Sequence, residues 1–204
     1  MDEDTAMENS ELSQLFKQMQ DDGIEPTELL AQMAVQAYKE HIRTDKLDLI
    51  DAAVAMAAES VKRTPVSSDT LPTHLSIYGV MLASRYERTG NMADLEAAIQ
   101  TAQQAINSAP DNHPDRAAWL NNLGNKLRSR YERTGDMVDL EKSGDSYSCA
   151  WKCENSIPFY RVQAAAQCVD VLGLLGKLNH AAELTGNAIN LLPTISNRSL
   201  QRSN

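Results

Sequence analysis

The segment Ser84-Arg85-Tyr86-Glu87-Arg88-Thr89-Gly90-Asn91-Met92-Ala93-Asp94-Leu95-Glu96 returns 45 residues later as Ser129-Arg130-Tyr131-Glu132-Arg133-Thr134-Gly135-Asp136-Met137-Val138-Asp139-Leu140-Glu141. Only the residues after Gly and after Met differ. Duplication at a fixed period of this size marks a repeat array, in which one supersecondary unit stacks on copies of itself. A worn third copy lies upstream. Arg43-Thr44 falls 45 residues before Arg88-Thr89, and Ala53 and Pro65 fall 45 before Ala98 and Pro110.

The unit reads as a pair of helices. Aromatic residues make up 5% of the 204-residue chain, so Ala and Leu carry most of the apolar load. That composition suits helices packed through small residues better than sheets. In the clearest copy one helix runs from about Leu71 to Arg88, with Leu75, Tyr78, Leu82 and Tyr86 on its apolar side. Gly90 is placed as a C-terminal cap. Asn91 with Asp94 three residues on resembles a capping box for the partner helix, which ends before Pro110.

The next helix spans Ala117 to Arg133 and carries Leu120, Leu123, Leu127 and Tyr131. Its partner has Ser143-Gly144 where the earlier copy has Ala98-Ile99, and a mid-helix glycine costs roughly 1 kcal/mol against alanine, so a bend or fraying is expected there. The first pair starts at Glu25-Pro26-Thr27, with Leu29, Leu30, Met33, Val35 and Tyr38 on its apolar side. It continues from about Lys46 to Lys62. The last pair runs from Pro158 to about Leu175 and from Leu178 to Leu192, closed by Pro193.

The domain reading follows. Residues 1–25 form an acidic leader, either a short amphipathic helix through Leu12, Phe16 and Met19 or a loosely docked segment. Residues 26–193 form the repeat domain, and residues 194–204 a frayed polar tail. No apolar run approaches the roughly 18–20 residues needed to span a bilayer. A net charge of −9 makes nucleic acid and anionic membrane poor partners. The acidic start is unlike a secretory or mitochondrial leader. With Cys149, Cys153 and Cys168 forming no disulfide framework, a reducing, cytoplasmic setting is expected.

The pattern Leu120-x2-Leu123-Gly124-x2-Leu127 resembles the core of a tetratricopeptide repeat (TPR), with Leu at both aromatic positions. A small residue, Ala34, Gly79 or Gly124, recurs in each first helix. Ala53, Ala98 and Ala181 precede Pro65, Pro110 and Pro193 by 12 residues each. The period exceeds the usual ~34 residues, and part of the excess is about two extra helical turns. This long form resembles the TPR arrays of large fungal proteins in which such repeats precede a CHAT domain, a caspase-like protease fold. Asn121 to Gly124, Arg130 to Gly135, Asp139 to Glu141 and the ending Leu191-Leu192-Pro193 with Arg198-Ser199-Leu200 carry that likeness. The resemblance implies an all-α, right-handed α-solenoid of about four antiparallel helix pairs, the long repeats followed by one short one. With Asn204 as the last residue, the expectation is a truncated or partial relative, and no protease activity is lent to it.

Residues with reactive chemistry have structural readings. Cys149 and Cys153 are spaced four apart on a possible helix and, with Cys168 and a histidine, are conceivable zinc ligands. No histidine lies nearby in sequence, so unpaired thiols are the expectation. His41, His74, His113 and His180 lack the flanking signature of a Cys–His nucleophile, and His113, in a turn before Pro114, is expected to cap. Leu172-Gly173-Leu174-Leu175-Gly176 lacks the Lys-Ser/Thr ending of a phosphate loop. No catalytic residue, metal site or cofactor is expected. Arg85, Arg88, Arg130 and Arg133 are expected to pair with Asp94, Glu96, Asp139 and Glu141 across adjacent helices, in preference to forming a basic docking stripe.

The candidate site is the groove that first helices line in TPR arrays. One stripe reads Ser76, Val80, Ala83, then Asn121, Asn125, Arg128. Asn side chains can clamp an extended backbone, and Arg128 can hold a carboxylate. Ser76, Asn121, Asn125 and Arg128 are therefore the candidate peptide-binding residues. Ala31, Val35, Ser76 and Val80 stand where a chaperone-tail adaptor needs Lys and Asn. The expected function is a non-catalytic protein- or peptide-binding scaffold. The alternatives are a self-associating homo-oligomeric module, marked by exposed Leu and Val on the last helix, and, with less support, a thiol-dependent enzyme.

Overall fold

The computed structural model describes the backbone of residues 25–200 and the side chains of residues 25–190. The expected leader lies almost wholly outside the described residues. Among them every regular element is an α-helix. In chain order these are α1 (Pro26–Thr44), α2 (Leu47–Arg63), α3 (Leu71–Thr89), α4 (Met92–Asn107), α5 (Arg116–Thr134), α6 (Met137–Trp151), α7 (Pro158–Leu174) and α8 (Leu178–Leu200). They form four antiparallel pairs, and the fold is an α-solenoid.

Odd-numbered helices pack on their own partner and on the partner of the preceding pair. They also touch one another, α1 on α3, α3 on α5 and α5 on α7, whereas successive even-numbered helices do not. Helices that approach more closely on one side curve the array toward that side, so the odd-numbered helices line its inner face. The core runs along the stack as a succession of clusters that bridge neighbouring pairs. Ala34, Ile50, Ala53, Val54, Met81, Leu82 and Ala98 join the first two pairs. Ala102, Ile106, Trp119, Leu123, Leu127, Ala150 and Ala164 join the later ones. In α1 the buried positions are Pro26, Ala31, Ala34 and His41, and Met33, expected inside, is exposed. Small residues are what let α2 approach.

The repeated motif is a chain-reversal device. Thr89 Oγ1 donates back to the Arg85 carbonyl at 2.7 Å, and Thr134 Oγ1 to that of Arg130 at 2.8 Å. Gly90 and Gly135 then take the left-handed conformation, with φ of 72° and 75°. Asn91 Oδ1 accepts the Ala93 N–H at 3.1 Å and starts α4; Asp136 does the same for Val138 at 3.0 Å. The expected capping box is incomplete. The backbone N–H of Asn91 goes to Thr89 Oγ1, and Asp94 turns away to Arg85.

Two further expectations are corrected. The helix through Ser143-Gly144 runs unbroken from Met137 to Trp151. Both residues are buried, and Ser143 Oγ donates to the Leu140 carbonyl at 2.7 Å. Gly144 packs closely on α7, where a Cβ would lie 3.0 Å from Val171 Cγ1 and press that side chain aside. The last helix does not close at Pro193 but continues to Leu200, so residues 194–200 belong to α8. Proline forfeits one hydrogen bond and crowds the preceding turn, but need not terminate a helix.

Candidate functional site

The inner face carries two cavities. The first, about 350 Å³, opens between α3, α5 and α7. It is lined by Ser76 and Ile77 from α3, by Trp119, Asn121 and Asn125 from α5, and by Tyr160 and Gln163 from α7. Three of the four candidate residues are therefore brought together. Helical spacing accounts for it: Asn121 and Asn125 are four apart on one face of α5, and Ser76 is the residue 45 before Asn121.

Asn121 is 3% exposed. Its Nδ2 donates to the Tyr160 carbonyl at 2.8 Å, and its Oδ1, buried beneath the cavity surface, has no hydrogen-bond partner among the described residues. A buried acceptor left unpaired is uncommon and costs on the order of 1–3 kcal/mol. Asn125 is half-buried. Its Oδ1 accepts from Tyr147 Oη at 2.8 Å, and among the described residues its amide donors are unengaged. Burial pushes the Tyr147 phenol upward, so it stays a donor. Trp119, buried at the rim, stacks on His113 with ring centroids 4.5 Å apart. His113 Nδ1 accepts the Asp115 N–H at 3.1 Å and so sets the turn into α5.

Arg128 does not line this cavity. Its guanidinium pairs with Glu132 at 3.1 Å and with Asp170 at 3.7 Å, tying α5 to α7. A carboxylate-holding role would require giving those partners up.

The second cavity, about 240 Å³, lies between α1, α3 and α5, and Asn122 and Asn125 line both. It contains a group that spacing alone did not single out. Lys126 is 5% exposed, with Nζ donating to the Asn122 carbonyl of its own helix at 3.2 Å. Burial pushes its ammonium down to about 8, opposed by the charge of Glu87. A signal was present in the repeat: Lys126 stands 45 residues after Met81, which is buried. Tyr160 and Gln163 were missed because the last pair departs from the 45-residue register.

Three of the four repeated arginines are structural, whereas among the described residues Arg133 and Glu141 form no ion pair. Arg85 is held by Asp94 and Asp51, Arg130 by Asp139 and Glu96, and Arg88 by Asp45. Cys149 is exposed, Cys153 half-buried and Cys168 buried. Burial pushes the Cys153 and Cys168 thiols up, which lowers their thiolate fraction. Cys153 lies beyond the end of α6, and its Sγ donates to the Cys149 carbonyl at 3.3 Å. His74 is fully buried between Thr64 Oγ1 at 2.8 Å and Glu28 at 3.3 Å, joining three helices. Among the described residues no group of His, Cys, Asp and Glu is arranged to hold a metal. No described helix is long and apolar enough to cross a membrane.

No protein-family model matches the chain, and no curated protein matches it in sequence. The comparison with solved structures does find likenesses. BtubC (BKLC) from P. vanneervenii aligns over 94% of this chain and 90% of its own, with a TM-score of 0.59 and 14% identity. A de novo designed helical repeat protein aligns over 87% of this chain and 97% of its own, with a TM-score of 0.40 and 12% identity. At that identity the likeness to BtubC speaks for the fold. Together with the stacked pairs it defines the class: a helical-repeat protein.

Proposed function

We propose that the chain is a non-catalytic scaffold whose inner face holds an extended segment of a protein or peptide partner against α3, α5 and α7. The observation that carries this reading is that Ser76, Asn121 and Asn125 meet in the wall of the first cavity, with the Asn125 amide donors unengaged among the described residues. An extended backbone presents a carbonyl every second residue on one side, which is what such donors lack. Ser76 supplies a further polar contact. Concave faces of stacked helices are the surfaces repeat proteins use for binding. We read the array as TPR-like, a relative of the TPR–CHAT proteins with a cytoplasmic setting; the doubled Arg-Tyr-Glu-Arg-Thr-Gly motif and Asn121 to Gly124 support that reading.

The test is affinity capture by the purified chain beside an Asn121→Ala/Asn125→Ala variant and an Arg128→Ala variant, all shown folded by circular dichroism. A partner retained by wild type and Arg128→Ala but lost by the double variant is expected. Equal retention by all three contradicts the groove reading.

A second reading, self-association, has its own observation. Leu174, Leu178 and Ile189 on the last pair are exposed, Leu178 by 68%. Sedimentation over a wide concentration range distinguishes it: a molecular mass that does not rise with concentration excludes it.

A further inference from the structure

We infer that the second cavity is a receptor for one acidic side chain of the segment bound along the inner face, with Lys126 supplying the counter-charge. This rests on the groove reading above and adds the chemistry of a particular residue in the ligand.

Buried charges in folded chains are paired, because an ion taken out of water without a partner is costly. Lys126 breaks that rule. Its ammonium carries three donors, and among the described residues only one is used, on the Asn122 carbonyl; no carboxylate forms an ion pair with it. The repeat shows that a charge is not needed there for packing, since Met81 fills the equivalent place. Beside the ammonium lies space of about 240 Å³. Tyr38, Ser84 and Ser129 line that space from α1, α3 and α5, and among the described residues none of their hydroxyls is engaged in a hydrogen bond. One ammonium with several hydroxyl donors around it is a set for an oxygen anion.

The charge of that anion is limited by Glu87, which lines the same cavity and whose field already acts on Lys126. A dianion such as phosphate would meet one buried cation and one opposing carboxylate. A carboxylate carries the smaller charge and fits better. The source follows from continuity. Asn122 and Asn125 line both cavities, so a backbone lying on the Asn121–Asn125 face has a side chain's reach to Lys126.

The test uses three small probes on the purified full chain, followed by NMR of the lysine side chains. N-acetyl-glutamate amide carries an acidic side chain and no free terminus. N-acetyl-glutamine amide is its neutral twin, and N-acetyl-glycine offers a terminal carboxylate. The glutamate probe is expected to bind and to raise the titration midpoint of Lys126 from about 8 toward its ordinary value of 10.5. The glutamine probe is expected to leave it in place. Lys126→Met, which restores the residue of the preceding repeat, should weaken the glutamate probe by about tenfold or more, the worth of one charged hydrogen bond. Glu87→Gln should strengthen it. Equal binding of the glutamate and glutamine probes, no binding of either, or undiminished binding to a folded Lys126→Met overturns the anion site. Preferential binding of N-acetyl-glycine overturns the side-chain source in favour of a chain terminus. These readouts need no partner protein, so a failure here leaves the Asn121 experiment to judge the groove by itself.

Discussion

Arg85 and Asp94 stand nine residues apart and meet through two hydrogen bonds, of 2.9 and 2.6 Å, across the hairpin between α3 and α4. The third arm of the guanidinium reaches Asp51 on the preceding pair at 3.2 Å. Forty-five residues on, Arg130 grips Asp139 twice at 2.7 Å and Glu96 once at 2.7 Å. Each arginine thus fastens three helices, and the acceptors Asp51 and Glu96 are themselves 45 apart. Arg130→Ala leaves the buried Asp139 carboxylate unpaired and should cost roughly 3 kcal/mol. Arg130→Lys should recover only part of that, because an ammonium cannot match the fork. Urea unfolding of both variants, with Asp139→Asn in a double-mutant cycle, measures it.

Gly79 and Gly124 occupy the same place in successive repeats but face different neighbours. A Cβ at Gly79 would come no closer than 3.4 Å to the Ala98 carbonyl oxygen, whereas one at Gly124 would collide with the Tyr147 ring. Gly79→Ala should be near neutral, the helix gain of roughly 1 kcal/mol offsetting the tighter contact. Gly124→Ala should destabilise by about 1–3 kcal/mol. Comparing melting temperatures of the two variants checks the difference, and equal shifts would contradict it.

Asp45 holds the left-handed turn, φ 54°, that Gly90 and Gly135 hold in later repeats. Its N–H closes on the His41 carbonyl at 2.7 Å, as theirs close on Tyr86 and Tyr131. Asp45→Gly should stabilise by about 0.5–1 kcal/mol, less whatever the exposed pair with Arg88 contributes. Asp45→Ala should destabilise, since alanine gains no such freedom. Chemical denaturation of the pair gives the sign.

Lys126 has a folded pKa of about 8 against an ordinary 10.5, so the unfolded chain binds its proton more tightly. The penalty is fully present below about 8 and is relieved as pH rises toward 10.5. The groups around it that also carry charge or titrate are Glu87, Tyr38 and Tyr86. Lys126→Met should be more stable than wild type near neutrality, and the gap should narrow through that window. Taking the difference between the two proteins cancels the thiols and phenols that titrate nearby. A gap that does not change with pH would contradict a buried ammonium.

The array was legible in the sequence because its period is written in residues that act locally. Thr89, Gly90 and Asn91 stop one helix and start the next with short-range bonds, so their spacing fixes the hairpin. Ser76, Asn121 and Asn125 were legible as one surface for the same reason. What was not legible depended on neighbours in the next repeat. Arg128 has Glu132 four residues on along its own helix, a pairing that spacing offered, but its second partner, Asp170, comes from α7 and could not be read. Ser143-Gly144 looked like decay, because only the fold shows Val171 lying against Gly144. The end at Pro193 failed because one lost hydrogen bond does not outweigh the rest of α8.

The measurement that bears most directly on the scaffold reading is the affinity of a peptide selected from a displayed library against the purified chain. It is compared between wild type, Ser76→Trp, which fills the first cavity from a half-buried position, and Gln103→Trp, which places the same side chain on the exposed surface of α4. The account predicts that Ser76→Trp weakens binding at least about tenfold, the scale of one lost anchor contact, while Gln103→Trp leaves it unchanged. Unchanged affinity in Ser76→Trp, with its helical signal intact, would place binding elsewhere and contradict the account.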